Sequence, residues 1–368
     1  MTTRICMVAG ARPNFMKVAP IVRAVEKAKS EGQEVDCQLV YAGAENDPTL
    51  EPQLFDDLQM PRPDAFLGVE SQSLNETTGL VMAAFDRYLE QNPADVVIVV
   101  DDLASTMAAA IVTKKRGLRL AHLVAGTRSF DITMPKEVNR LVIDGLSDYL
   151  FTAGAGSVSI VTREGAEMSQ VYMVGNILMD TLRYNRERLR RPGVVDELGL
   201  DEGRYVVFTL NRKALLANSD NLKRMVDVMI ASGLTIVAPL RGDAAHRVEA
   251  LLPEGASVHV IPPLPYLEFG WLAAHAQGMI TDSGNVAEEA TFNGVPCITL
   301  NSYTEHMETV KEGTNVLVGE DAGRLAEALR QLSEGQWKHG SLPERWDGRT
   351  AERIISVVAA DATGLHDK

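Results

Sequence analysis

The chain has 368 residues, 45% of them hydrophobic and 23% charged, which is too long for one ordinary domain and suits two, each with its own core. Its 36 basic and 50 acidic residues leave a net charge of −14, arguing against a general nucleic-acid or anionic-membrane binder while leaving room for local basic sites. Cys6, Cys37 and Cys297 lie far apart with no Cys-x-x-Cys pair or Cys/His cluster, so neither a disulfide framework nor a zinc site is expected, and no run approaches the ~20 apolar residues of a membrane span.

The first element is a buried strand over residues 4–10, with no cleavable leader before it, so a cytoplasmic protein is expected. A turn at residues 11–14 leads into a helix over 15–29, where apolar residues recur at helical spacing. A second strand (35–42) ends in the polar loop Gly43-Ala44-Glu45-Asn46-Asp47. Helix 74–91, strand 95–100, helix 105–115, strand 118–124, helix 136–146 and strand 149–151 follow, and a strand over 171–175 closes the half. Short apolar runs alternating with helical segments imply parallel sheets covered on both faces.

Residues 1–182 are thus read as a first domain and the charged, Pro/Gly-containing stretch 183–203 as a linker. The rhythm restarts over 204–347, with strands at 205–210, 234–240, 257–261, 278–280, 296–300 and 315–319 and helices at 221–231, 266–275 and 322–334. An amphipathic helix near 348–360, within a final segment 348–368, is expected to pack back on the first domain. The fold class is α/β, with two doubly wound domains, and ligands in such sheets bind beyond the carboxyl ends of the strands. A cleft between those ends is the expected site.

The candidate residues sit at strand ends. Arg12 and Lys17 follow the first strand, where cations suit a phosphate, although a solvated helix start reads the same way. Asp101 and Asp102 end the third strand and point to opposite sides, so at most one faces the cleft as a general acid or base, and a turn with one Asp capping the next helix fits as well. Glu137 and Arg140 share a helix face, which fits a surface ion pair as well as a site. In the second half Asn211-Arg212, Arg241 and Tyr303-Thr304-Glu305-His306 occupy successive strand ends. The stretch Thr281-Asp282-Ser283-Gly284-Asn285, opening a helix with Glu288-Glu289 one turn in, fits an anion-binding N-terminus or an ordinary Ser-capped connection.

The stretches GARPNFMKVAPIV, HLVAGTRSFDITMPKEVNRLVIDGLSDYLF, VGNILMDTL, TDSGNVAEEATFNGVPCITL and TEHMETVKEGTNVLVG together resemble the non-hydrolysing UDP-N-acetylglucosamine 2-epimerases, spanning nearly the whole chain. The resemblance implies the two-domain GT-B fold, a nucleotide sugar as ligand, no metal or other cofactor, and a homodimer. It implies that Arg12, Lys17, Ser283, Gly284 and Glu289 hold the diphosphate and ribose, with Asn285 departing from the family's Gly and Arg140, Arg212 and Arg241 as further binding candidates. Of the family's catalytic groups, the Asp is matched by Asp102, preceded by Asp101 in place of Gly. The first Glu is replaced by Val124, the second by Lys136 and the His by Asn211.

Val124 has no titratable group and Lys136 is normally protonated, and losing one catalytic acid or base costs ~10²–10⁴ in rate. The leading expectation is therefore a glycosyltransferase that passes the sugar of a nucleotide sugar to a small-molecule acceptor. Asp102, Glu137 and His306 are its candidate bases, and Asn211 stands at the remaining catalytic position. The alternative is a C2 epimerase using Asp102 and Glu137 in rearranged roles, and a third reading is a nucleotide-sugar binder without turnover.

Overall fold

In a computed structural model that describes residues 2–362, the chain divides into two compact units. One runs to Tyr184 and resumes at Glu344, and the other is Asn185–Pro343.

The first unit is built on strands β1 (Thr3–Ala9), β2 (Val35–Tyr41), β3 (Ala65–Phe66), β4 (Val96–Val100), β5 (Arg119–Ala125), β6 (Tyr149–Thr152) and β7 (Val171–Met173). They pair in the order β3-β2-β1-β4-β5-β6-β7, every pair parallel. β4 shows why: its sequence VVIVV is buried throughout, as a central strand with helices on both faces must be. Chain order reverses between β1 and β4, so the crevice beyond their carboxyl ends is this sheet's topological switch point. Arg12 and Lys17 emerge there from one strand, Asp101 and Asp102 from the other. Gly10 lets the two connections meet: a Cβ at this position would stand 2.0 Å from Ser105 Oγ, at the start of the helix Ala104–Lys115.

The second unit repeats the plan with β8 (Tyr205–Phe208), β9 (Thr235–Pro239), β10 (Val258–Ile261), β11 (Gly278–Thr281), β12 (Cys297–Thr299) and β13 (Asn315–Leu317), in the all-parallel order β10-β9-β8-β11-β12-β13. Its switch point lies between β8 and β11. Asn211-Arg212 follows the first of these strands, and Asp282-Ser283 the second.

The stretch 183–203 is not a free linker. It carries a 3-10 turn Arg186–Arg188 and a short helix Val194–Glu197, and Val195, fully buried, packs with Leu200, Tyr205 and Trp271 in the core of the second unit. Residues 344–347, read with the second domain, belong to the first. Trp346 there is fully buried and donates from Nε1 to the Ala153 carbonyl. The last described helix, Thr350–Ala362, packs against the helix Phe15–Ser30, and its first N–H groups, on Thr350 and Ala351, donate to Asp180. The helix Pro52–Leu58 and the two-residue β3 escape sequence reading, being too short to show a period.

Candidate functional site

At the ends of β4 and β5, Asp101 (φ 59°) and Val124 (φ 75°) hold left-handed backbone without being glycine. Asp tolerates this region, whereas a β-branched side chain there is a true outlier. Val124 sits at a β-bulge, where the β5–β6 register shifts between Leu123 and Ala125. Both residues are tied to one buried polar network. The Asp101 N–H donates to the Leu123 carbonyl, and His122 joins the Asp101 carbonyl through Nε2 (3.0 Å) and Asp144 through Nδ1 (2.5 Å). Asp144 also accepts from the Gly126 N–H and pairs with Arg128, which reaches Glu164. Burial raises the Asp144 carboxyl, but the charge of and hydrogen bond from His122, with Arg128 behind them, outweigh it and hold it below the usual range. His122 is therefore a structural strand-end histidine that clamps the strained turns.

Lys17 is buried and forms an ion pair with Asp101 at 2.5 Å, while Asn14 Nδ2 donates to the other Asp101 oxygen. Arg12, from the same connection, has no partner among the described residues. Asp102 accepts from Arg140 at Oδ2 through Nε (2.8 Å) and Nη2 (2.6 Å). Its Oδ1 is 3.7 Å from Lys136 Nζ, beyond hydrogen-bond reach.

Glu137 is not placed as a base. It is buried, and its carboxylate accepts from the Ser129 N–H and hydroxyl, the Phe130 N–H and Arg140 Nη1. Burial raises its carboxyl, but those backbone and side-chain donors win and lower it. It fastens the loop after β5 to the helix Pro135–Leu146. Arg140 likewise bridges Asp102 and Glu137, which makes it a positioning residue rather than a ready ligand contact. Beside these residues, at the ends of β1 and β2, a cavity of about 500 Å³ is lined by Gly10, Tyr41, Ala44, Asp47, Glu70 and Ser105.

In the second unit, Ser283 is the N-cap of the helix Gly284–Asn293, yet its hydroxyl makes no capping bond among the described residues. The first-turn N–H groups, at the positive end of the helix dipole, are therefore not capped by this hydroxyl, which leaves them open to an anion. Asp282 shapes this turn. Its Oδ2 accepts from the backbone N–H groups of Asn211 and Arg212, joining the ends of β8 and β11. The Arg212 guanidinium is held by Asn301 (2.8 Å) and lies 3.4 Å from Glu320. The exposed Asn211 contributes its backbone to this join, and Arg241 is exposed at the start of the helix Gly242–Glu249.

His306 pairs through Nδ1 with the buried Glu288 at 3.0 Å, and its ring lies against Gly284, where a Cβ would come within 3.3 Å. That contact places the ring beside the helix N-terminus. Glu289, partly open to solvent, is still surrounded by enough protein that burial first, and the neighbouring Glu288 second, push its carboxyl up to about 7. Sequence reading gave no role of their own to Asp282, quoted only within the 281–285 stretch, or to Asn301 and Ser129. The first two sit in turns whose polar residues look interchangeable, and Ser129 gains its role from Glu137, eight positions on.

The family model described as UDP-N-acetylglucosamine 2-epimerase matches residues 27–359. The UDP-N-acetylglucosamine 2-epimerase of Methanocaldococcus jannaschii is 30% identical over 370 residues, covering 96% of this chain and 98% of that protein. The UDP-2,3-diacetamido-2,3-dideoxy-D-glucuronate 2-epimerase of Pseudomonas aeruginosa is 31% identical over 367 residues, covering 97% and 99%. The solved structure of the M. jannaschii enzyme, in complex with UDP-GlcNAc and UDP, superposes with a TM-score of 0.81 at 30% identity, covering 97% of this chain and 99% of that one. Two domains with parallel Rossmann-like sheets are the GT-B fold class, and among the described residues no helix is long and apolar enough to cross a membrane. On its match to the family model over residues 27–359 and to these relatives over 96% and 97% of its length, the chain belongs to the UDP-N-acetylglucosamine 2-epimerase family.

Proposed function

We propose that this protein is an enzyme that binds a UDP-sugar and acts on the proton at the sugar's C2, the reaction type that names its relatives. The observation that carries the reading is the Ser283-Gly284-Asn285 turn at the switch point of the second sheet, where the Ser283 N–H is held by the Thr281 hydroxyl and the Ser283 hydroxyl leaves the N–H groups that follow uncapped, beside Arg212. A diphosphate takes those N–H groups and Arg212, and Glu289, one turn on, meets ligand hydroxyls. Asp102 handles the proton through Oδ1, the oxygen that Arg140 leaves open. In this chemistry the C2 proton passes to the carboxylate while the C1–O bond breaks, releasing UDP and a glycal. Proton return to the other face, with UDP re-adding at C1, completes inversion. Val124 and Lys136 supply no second carboxylate, so turnover is slow, by ~10²–10⁴ for each missing group.

Glycosyl transfer is the second reading, and two observations favour it. Val124 and Lys136 remove the C2 bases, whereas departure of UDP through an oxocarbenium-like centre needs none. The cavity lined by Asp47, Glu70 and Ser105 also suits a polyhydroxylated or cationic acceptor. The deciding experiment incubates the full chain with UDP-GlcNAc in heavy water and follows C2 by NMR. Deuterium at C2 supports epimerase-type chemistry. No deuterium together with acceptor-dependent UDP release replaces that reading with transfer, and binding with neither replaces both with a non-catalytic nucleotide-sugar binder. A Val124→Glu/Lys136→Glu double variant is expected to raise the exchange rate at least ~10²-fold.

A further inference from the structure

The mouth of the first sheet is close to electrically balanced. Lys17 is paired with Asp101 at 2.5 Å, with side-chain exposures of 10% and 19%. Arg140 is committed to Asp102 and Glu137, and Lys136 lies over Asp102. Arg12 is the cation there with no partner among the described residues. Asp101 has no conformational reason to be an aspartate, since its φ of 59° is a region that Gly enters without strain. What distinguishes Asp here is the carboxylate, whose two oxygens are both engaged, one by Lys17 and the other by Asn14 Nδ2 at 2.8 Å. Asn14 is fixed in turn, because its Oδ1 accepts from the Gly10 and Ala11 N–H groups. The carboxylate is thus anchored to the turn that presents Lys17.

We infer that Asp101 is a built-in counter-ion that competes with a ligand's phosphate for Lys17 and so sets the affinity of this site for anionic ligands. The inference rests on the nucleotide ligand proposed above, with its phosphate reaching Lys17 as the family resemblance implies. A phosphate approaching Lys17 meets an ion pair that is already formed and mostly desolvated, and it gains the ammonium only by displacing or sharing the Asp101 carboxylate. Lys17 thereby contributes less to binding than an unpaired lysine would, and the deficit grows with the charge of the ligand. Site affinity then depends on how many charges the ligand carries, with a diphosphate penalised more than a monophosphate and an uncharged nucleoside not at all.

The test is isothermal titration of the full chain with UDP, UMP and uridine, comparing the wild type with Asp101→Asn and Asp101→Gly. Both replacements suit the left-handed backbone and remove the carboxylate, and thermal denaturation checks that each remains folded. UDP is expected to bind both variants about tenfold more tightly than the wild type, the scale of one charge-assisted hydrogen bond returned to the ligand. UMP should gain less, and uridine should not change. UDP binding no tighter in the variants while the wild type binds it overturns the inference alone, since Asp101 then serves to aim Lys17 at the ligand. UDP binding by none of the three proteins overturns the nucleotide reading and the inference with it.

Discussion

Val124 offers the sharpest test of how this site is built. In an ordinary strand Ala is more stable than Gly by about 0.5–1 kcal/mol, because Gly loses more backbone freedom on folding. At φ 75° that order should reverse. A non-glycine residue held in the left-handed region carries about 1–3 kcal/mol of strain, and a β-branched one lies toward the upper end. Val124 is only partly buried, so truncating its side chain forfeits about 1 kcal/mol of burial, roughly half the value of a fully buried valine. Val124→Ala therefore loses that burial and keeps much of the strain. Val124→Gly loses the same burial, sheds the strain and incurs the glycine entropy. The Gly variant should be more stable than the Ala variant by about 1 kcal/mol. For a unit of this size that difference is worth about 2–4 °C in thermal midpoint. Differential scanning calorimetry of the full chain reads it from the transition of the first unit, identified by the fluorescence of the buried Trp346 in a background where Trp271 and Trp337 of the second unit are replaced by Phe. An Ala variant as stable as the Gly variant, or more so, refutes the claim that strain is stored at Val124.

Arg140→Met removes the bridge between Asp102 and Glu137, leaving two carboxylates without their shared cation, and should destabilise the first unit by about 3–5 kcal/mol in urea titration. Asp144 is held below its ordinary value in the fold, so its contribution to stability is present above the unfolded value near 4 and is lost as pH falls through the folded one. The urea midpoint should fall more steeply with acid below about pH 4 in the wild type than in Asp144→Asn. Glu289 has the opposite sign. Its carboxyl is raised to about 7, so the fold binds the extra proton, and the associated stability is full below its unfolded value and is lost as pH rises toward 7. Glu289→Gln should therefore raise the thermal midpoint more at pH 8 than at pH 5 while weakening UDP-sugar binding, and equal effects at both pH values would refute the assignment.

The sheets were legible because a buried parallel strand is written as a continuous apolar run, as in residues 96–100, and because helices between such runs force parallel pairing. The turn after β11 was half legible. Its residue types are visible in 281–285, but whether the Ser283 hydroxyl caps its own helix or leaves the N–H groups open depends on geometry that composition does not carry. The first-unit site was legible as positions and not as partners. Lys17 and Asp101 are 84 residues apart, and only the adjacency of β1 and β4 makes them a pair. Val124 makes the same point most strongly. Its replacement of a carboxylate reads, in sequence, as a lost catalytic group. In the fold, its backbone is left-handed and lies between Leu123, whose carbonyl accepts from the Asp101 N–H, and Gly126, whose N–H donates to Asp144. Strain of that kind relaxes unless the surrounding structure over-determines it. The polar network thus holds a turn geometry that presents an apolar side chain at this mouth, where Asp102 keeps Oδ1 outside its pair with Arg140.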